Sequence, residues 1–325
     1  MSSLFAQSEL KDLIEKVERG ERLDFNAGVR MLNSQDILAL GYMANLVCER
    51  KNGNQTYFVV TRQINYSDLG KDLGTDLGDL TDLSEIQLMG EFNPELSFDY
   101  YVDMLQQVKR LLPKVSVQAF SALEVDYFAR MADLPVTEIL RRLMDVGLDS
   151  LSGSKAAVFT PPLGAKLGEM NVSAERYLEI QESAHRLGMR TNVAMFYGQV
   201  GSTEERIEHL LKLRELQDRT SGFLTFMPLA YYPNGTKEEI TGVSDSTGFE
   251  DLKILSTSRI LLDNFEHIKA DWVVLGPKLA QVSLTFGVDA LDSHLMTKRA
   301  LIHLIEKARR EAVERSGKER SACKE

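Results

Sequence analysis

Asn65 to Asn93 reads NYSDLGKDLGTDLGDLTDLSEIQLMGEFN, and how this stretch is taken decides the fold. Three Asp-Leu-Gly triplets, at Asp68-Leu69-Gly70, Asp72-Leu73-Gly74 and Asp76-Leu77-Gly78, recur every four residues and run on into Asp79-Leu80 and Asp82-Leu83. The segment joins two apolar runs that read as buried strands, Tyr57-Phe58-Val59-Val60 and Glu85-Ile86-Gln87-Leu88-Met89. A parallel crossover between two such strands takes a dozen or more residues and usually a helix. Leu69, Leu73, Leu77 and Leu80 could form one helical stripe. Each glycine, however, costs about 1 kcal/mol relative to alanine, and the clustered aspartates repel one another. A loop or a frayed short helix is expected.

On the N-terminal side, Leu10, Leu13, Ile14 and Val17 fall at helical spacing up to Gly20, and a second helix, capped by Ser34, runs towards Gly53. Residues 1–56 therefore read as a helical cap. On the C-terminal side, apolar runs alternate with amphipathic segments. The strand candidates are Val115 to Ala119, Leu148 to Leu151, Arg190 to Phe196, Phe223 to Leu229 and Ala270 to Val274. The helix candidates are Phe98 to Leu112, Val136 to Val146, Ala174 to Leu187, Thr203 to Arg219 and Phe249 to Asn264. This alternation implies a parallel sheet covered by helices, and six or seven units over residues 57–292 favour a partial (β/α) barrel of the TIM type over a doubly wound sheet. Residues 293–325 read as a C-terminal helix around Leu301, Leu304 and Ile305, followed by a disordered tail.

Acidic residues outnumber basic ones by 48 to 38, which argues against nucleic acid and anionic membranes as partners. The two cysteines, Cys48 and Cys323, exclude a disulfide framework. The N-terminus lacks the pattern of a secretory signal, so a cytoplasmic location is expected.

Four segments carry a resemblance: SALEVDYFARMADLPVTEILRRLMDVGLDSL (Ser121 to Leu151), YLEIQESAHRLGMRTNVAMFYG (Tyr177 to Gly198), ERIEHLLKLRELQDRTSGFLTFMPLAYYP (Glu205 to Pro233) and HIKADWVVLGPKLAQVSLTFGVDALD (His267 to Asp292). They resemble aminofutalosine synthase, a radical S-adenosylmethionine enzyme of the futalosine route to menaquinone. The resemblance implies a radical-SAM-like partial barrel that opens with a strand and a C-x3-C-x2-C loop, whose thiolates hold a 4Fe–4S cluster. The positions matching the three cysteines are Gly70, Gly74 and Leu77, none of which ligates iron. Elsewhere the family's GGxHP reads Gly90-Glu91-Phe92-Asn93-Pro94, and its PGGGAE reads Ser152 to Ala157. YGHIE becomes Tyr197-Gly198-Gln199-Val200-Gly201, and HPENT becomes Tyr232-Pro233-Asn234-Gly235-Thr236.

On this reading the chain is a scaffold without the chemistry. No catalytic residue, metal or cofactor is expected. A remnant cavity would bind a small molecule through Asp68, Glu91, Asn93, Lys155, Gln199 and Tyr232, and a futalosine-pathway enzyme is a possible partner. A third reading is an altered aminofutalosine synthase that carries the family name by similarity; the main competitor of the scaffold is a barrel reused for cofactor-free or metal-assisted catalysis. The two are separated by the interior: bulky apolar filling, with Trp272, Tyr231 and Tyr232 as part of the wall, is expected for the first. Converging polar groups with a raised carboxylate pKa are expected for the second. His185, His209 and His267 are expected to be structural or solvated.

Overall fold

A computed structural model describes residues 5–66, 83–90, 93, 95–153, 172–198, 201–231 and 248–315. The Asp-Leu-Gly repeats, with Asp68, Gly70, Gly74 and Leu77, lie outside the described residues, as do Glu91, Lys155, Gln199 and Tyr232.

Three helices lead in. Helix α1 (Lys11–Glu18) buries Leu13, Ile14 and Val17. Helix α3 (Ile37–Asn52) is capped by Asp36, whose side chain accepts from Ala39 N, and not by Ser34. The Ser34 hydroxyl is committed elsewhere, donating to Glu9 Oε1 at 2.5 Å. Between them lies α2 (Phe25–Asn33), capped by Asp24 and not anticipated from the sequence. Its Gly28 hides it from propensity but fits it to its neighbours, since a Cβ there would stand 2.8 Å from Ile207 Cγ2 and 3.1 Å from Leu261 Cδ1.

The chain then alternates through β1 (Gln55–Val59), β2 (Thr61–Asn65), β3 (Glu85–Met89), α4 (Phe98–Leu111), β4 (Ser116–Ala119), α5 (Ala122–Ala132), α6 (Val136–Asp145) and β5 (Ser150–Leu151). It continues through α7 (Ala174–Arg186), β6 (Thr191–Gly198), α8 (Thr203–Thr220), β7 (Phe223–Tyr231), α9 (Phe249–Leu261) and β8 (His267–Ile268). The last elements are α10 (Trp272–Leu275), α11 (Pro277–Ser283), β9 (Ala290–Asp292), α12 (Lys298–Lys307) and β10 (Glu311–Glu314).

The strands form three parallel arcs, β10-β1-β9, β2-β3-β4-β5 and β6-β7-β8. Val60 is the corner between β1 and β2: its carbonyl accepts from Ser84 N and Glu85 N at 3.0 and 3.1 Å, which starts β3 beside it. A bridge between Lys269 and Ala290 links β8 to β9. Asn192 Nδ2 reaches Ser150 Oγ at 3.3 Å between β6 and β5. The arcs therefore curve into a partial (β/α) barrel around one lumen, as the alternation implies.

The strand expected at Ala270 to Val274 is a correction. The extended residues are His267 and Ile268, and Asp271 then caps a helical turn by accepting from Val273 N and Val274 N. An apolar Trp-Val-Val-Leu run has no strand signature strong enough to resist a cap immediately before it. The short strands β9 and β10 escape the sequence pattern; β10 adds beside β1, pairing Gln55 with Glu311 and Phe58 with Glu314.

A buried ion pair ties the outer layer to the barrel. Arg259, fully buried on α9, donates to Asp289 Oδ1 at 2.5 Å and to Gly287 O at 2.9 Å. Asp289 also accepts from Ile268 N at 2.8 Å, lies 3.0 Å from His267 Nδ1 and bonds Asn52 on α3. Burial alone would raise the Asp289 pKa, but the Arg259 charge and the His267 contact hold it below the usual carboxylate range. Replacing Arg259 with methionine strands this carboxylate, so urea denaturation is expected to register a loss of about 3–5 kcal/mol. The double variant Arg259→Met with Asp289→Asn, which removes the stranded charge but keeps an acceptor for Ile268 N, should recover part of it.

His185 on α7 lies edge-on to Phe223 at 4.7 Å, in space that exists because residue 222 is glycine: a Cβ there would stand 2.0 Å from the ring. Thr220 Oγ1 donates to Leu216 O, so it accepts from His185 Nδ1, and His185 Nε2 takes the Thr191 hydroxyl. That pattern suits the neutral ring. Burial, with the Arg190 charge, pushes the His185 pKa down to about 4, and burial, with Lys212, takes His209 to about 3. Both depressed values leave stability intact above the ordinary histidine pKa. It is expected to decline as pH falls from about 6.5 towards 4, by up to about 1.4 kcal/mol per unit for each ring. Urea titrations across that window check this, and His185→Gln should flatten the slope.

Candidate functional site

Three consecutive barrel strands repeat one pattern, a polar residue, any residue, then glutamine. It reads Thr61-Arg62-Gln63 on β2, Glu85-Ile86-Gln87 on β3 and Ser116-Val117-Gln118 on β4. Alternation puts the outer members of each triplet on one face of the sheet. Register then aligns them, Thr61 with Glu85 and Ser116, and Gln63 with Gln87 and Gln118. The glutamine layer continues to Ser150 on β5 and, next round the barrel, to Asn192 on β6, which stands beside Thr225 on β7.

Thr61, Gln63, Glu85, Gln87, Gln118, Asn192 and Thr225 line a cavity of about 200 Å³ inside the barrel, together with Tyr57, Lys269, Asp292, His294 and Arg315. Gln63 Nε2 donates to Gln87 Oε1 at 3.1 Å, and Gln87 Nε2 donates to Glu85 Oε1 at 2.9 Å. Gln118 is only 7% exposed and makes no side-chain hydrogen bond among the described residues. Thr61 Oγ1 is buried and likewise unpartnered. Buried amides and hydroxyls are normally satisfied by protein or water, so open ones facing a cavity mark a place where something polar sits.

Below this girdle the lining is charged. Lys269, just past β8, is ion-paired with Asp292 at the end of β9. Burial would lower the Lys269 pKa; the charge of Asp292 and its hydrogen bond, with Glu85 and Asp271 adding to the field, raise it instead. Burial raises the Glu85 pKa, against the Gln87 hydrogen bond and the charges of Lys269 and Arg315, which favour its ionised form. Arg315 arrives by way of β10, its N–H donating to Phe58 O at 2.8 Å. His294 N donates to Asp292 Oδ1 at 3.3 Å.

At the upper end of β2, next to the quoted stretch, the Tyr66 hydroxyl donates to Glu124 Oε1 at 2.5 Å. The other oxygen of Glu124 receives Ser121 N and Oγ in a capping box at the start of α5. Burial first, then the Glu124 charge, pushes the Tyr66 pKa up.

The interior is thus an open cavity where polar groups share the wall with apolar residues such as Val59, Met89 and Met227, not one packed with bulky side chains as expected. Trp272 does not line the cavity; its indole N–H donates to Asp292 O at 3.1 Å. Of the expected ligand-binding residues, Asn93 is described: it is exposed on a turn, its side chain accepting from Glu95 N, and it does not line the cavity. His185 and His267 sit in the buried contacts described above. Sequence reasoning missed Gln63, Glu85, Gln87, Gln118, Lys269 and Asp292. The repeated polar-x-Gln triplet was the available signal for the first four.

Parallel strands that alternate with helices around an open lumen define a partial (β/α) barrel, and similar proteins specify its family. A family profile described as the CofH/MqnC C-terminal region matches residues 220–308. Aminodeoxyfutalosine synthase of Thermus thermophilus is 37% identical over 320 residues, covering 90% of this chain and 86% of that protein. The Streptomyces coelicolor aminodeoxyfutalosine synthase is 31% identical, covering 88% and 82%. Among solved structures, methylornithine synthase (PylB) superposes with a TM-score of 0.66 at 14% identity, over 93% of this chain and 97% of that one. The chain belongs to the aminodeoxyfutalosine synthase family of radical-SAM-type proteins.

That membership corrects the expectation of no cofactor: this lineage is one of 4Fe–4S- and S-adenosylmethionine-dependent enzymes, and an assignment of none does not stand. The chain's own thiols nevertheless do not fit a three-cysteine cluster. It has two cysteines in all, and Cys48 is 1% exposed within α3, away from the lumen lining. Burial pushes its thiol pKa up to about 11, which disfavours the thiolate that iron requires. Among the described residues no group of three or more His, Cys, Asp or Glu could hold a metal, and no helix is long and apolar enough to cross a membrane.

An amide kept open for a ligand costs stability in the free protein. Gln118→Leu is therefore expected to raise the unfolding free energy by about 1 kcal/mol in urea denaturation. A clear loss of stability would mean that the amide is already engaged.

Proposed function

We propose that the protein is a ligand-binding homologue of aminodeoxyfutalosine synthase, active in or beside the futalosine route, whose lumen takes a small polar molecule. The carrying observation is the open, unpartnered amide of Gln118 in a ring of Gln63, Gln87 and Asn192. Of the two readings of the barrel, this interior favours reuse of the cavity over a solely structural partner role, because several polar groups face a cavity that a purely scaffolding barrel would fill with side chains.

Chemically, the site can do more than hold a ligand. The Glu85 carboxyl faces the cavity with its pKa raised by burial, a shift that favours its holding a proton, and the Lys269–Asp292 pair supplies a fixed dipole beside it. The wild-type protein purified from its own cells is expected to release a small molecule on denaturation, detected by mass spectrometry. The same preparation of Gln87→Leu with Gln118→Leu should not release it. Identical small-molecule profiles from both proteins would remove the support for this reading.

A further inference from the structure

We infer that the girdle formed by Gln63, Gln87, Gln118 and Asn192 is a recognition site for an uncharged heterocycle with an amide or lactam edge. This inference rests on the lumen being a ligand site and names the ligand's class.

The carboxamide is the side chain that offers a donor and an acceptor side by side, and it pairs with groups that present the complementary two. Four carboxamides stand in the same part of the lining. Three are in strict register on adjacent strands, and the fourth is fixed by its hydrogen bond to Ser150. Within the girdle, Gln63 and Gln87 are oriented by each other and by Glu85, so each amide has a set direction. Gln118 keeps both its donor and its acceptor open, and Thr61 Oγ1 adds a further buried polar atom without a partner.

Charge selects against ionic ligands. Lys269 is held by Asp292, and Lys269 and Arg315 both lie in the field of Glu85. A carboxylate entering the girdle would have to compete for cations already engaged, and a buried charge without its own counter-ion is strongly disfavoured. The volume, about 200 Å³, is below the roughly 300 Å³ at which drug-sized sites begin, so the occupant is a one- or two-ring molecule.

Isothermal titration of the full chain with uracil, nicotinamide and benzoate tests the class. Uracil or nicotinamide is expected to bind at least tenfold more tightly than benzoate. Gln118→Glu, which keeps the shape and an acceptor but removes the donor, should weaken that binding tenfold or more. Gln87→Leu with Gln118→Leu should abolish it, while Gln118→Leu alone, which strands no partner, should weaken it in a protein that unfolds no earlier than wild type. Preference for benzoate, with binding still lost in the double variant, would overturn the amide-edge assignment and leave the lumen as a ligand site. Binding of uracil or nicotinamide unchanged by these variants would overturn the assignment to this girdle. No binding by any of the three probes would also overturn the inferred class; with no small molecule released by the wild-type protein, the proposed function would fall with it.

Discussion

A parallel ladder leaves no freedom over which side chains share a layer. Once Gln63 pairs with Gln87 and Gln87 with Gln118, alternation carries all three to the same face at the same height. A slip of one residue would turn them outward and bring Ile86 and Val117, both fully buried among the helices, into the lumen. Burial of the helix-facing residues therefore fixes the register, and the register fixes the girdle. The polar interior follows from a hydrophobic constraint on the opposite face of the same strands.

The far side of the lumen depends on a different force. Strands β8 and β9 are short, with little ladder of their own, and the Arg259–Asp289–His267 contacts locate them. Asp289 takes the Ile268 amide directly, so the ion pair and the strand pairing are one structure. This anchoring sets where Lys269 and Asp292 emerge, two residues beyond His267 and three beyond Asp289. The charged floor of the cavity is thus held by a pair that never touches it.

Much of the fold was legible because long amphipathic helices and four- to nine-residue apolar strands advertise their periods. Short elements were not. Ile268 and the Ala290–Asp292 strand carry too few residues for a period, and Asp271 converts the most strand-like run nearby into a helical turn. The site was hidden for another reason. Attention to strand ends, where barrel chemistry usually sits, leads to Asp68, Glu91, Lys155, Gln199 and Tyr232, whereas the polar girdle is built from the strands themselves. Gln63, Gln87 and Gln118 look in sequence like solvent-facing positions of half-buried strands. Only the closing of the arcs makes that polar face an interior.

Family membership and thiol count pull in different directions. The relatives belong to a cluster-dependent lineage, and this chain has two cysteines in all, fewer than the three thiolates of a C-x3-C-x2-C loop. What the described residues offer instead is a lumen in which the open Gln118 amide calls for a partner. A crystal structure of the protein as isolated from its own cells tests that most directly. The account predicts bounded density for a small organic molecule in contact with Gln118 and Asn192. A lumen filled by collapsed side chains, with the Gln118 amide bonded to protein, would contradict it.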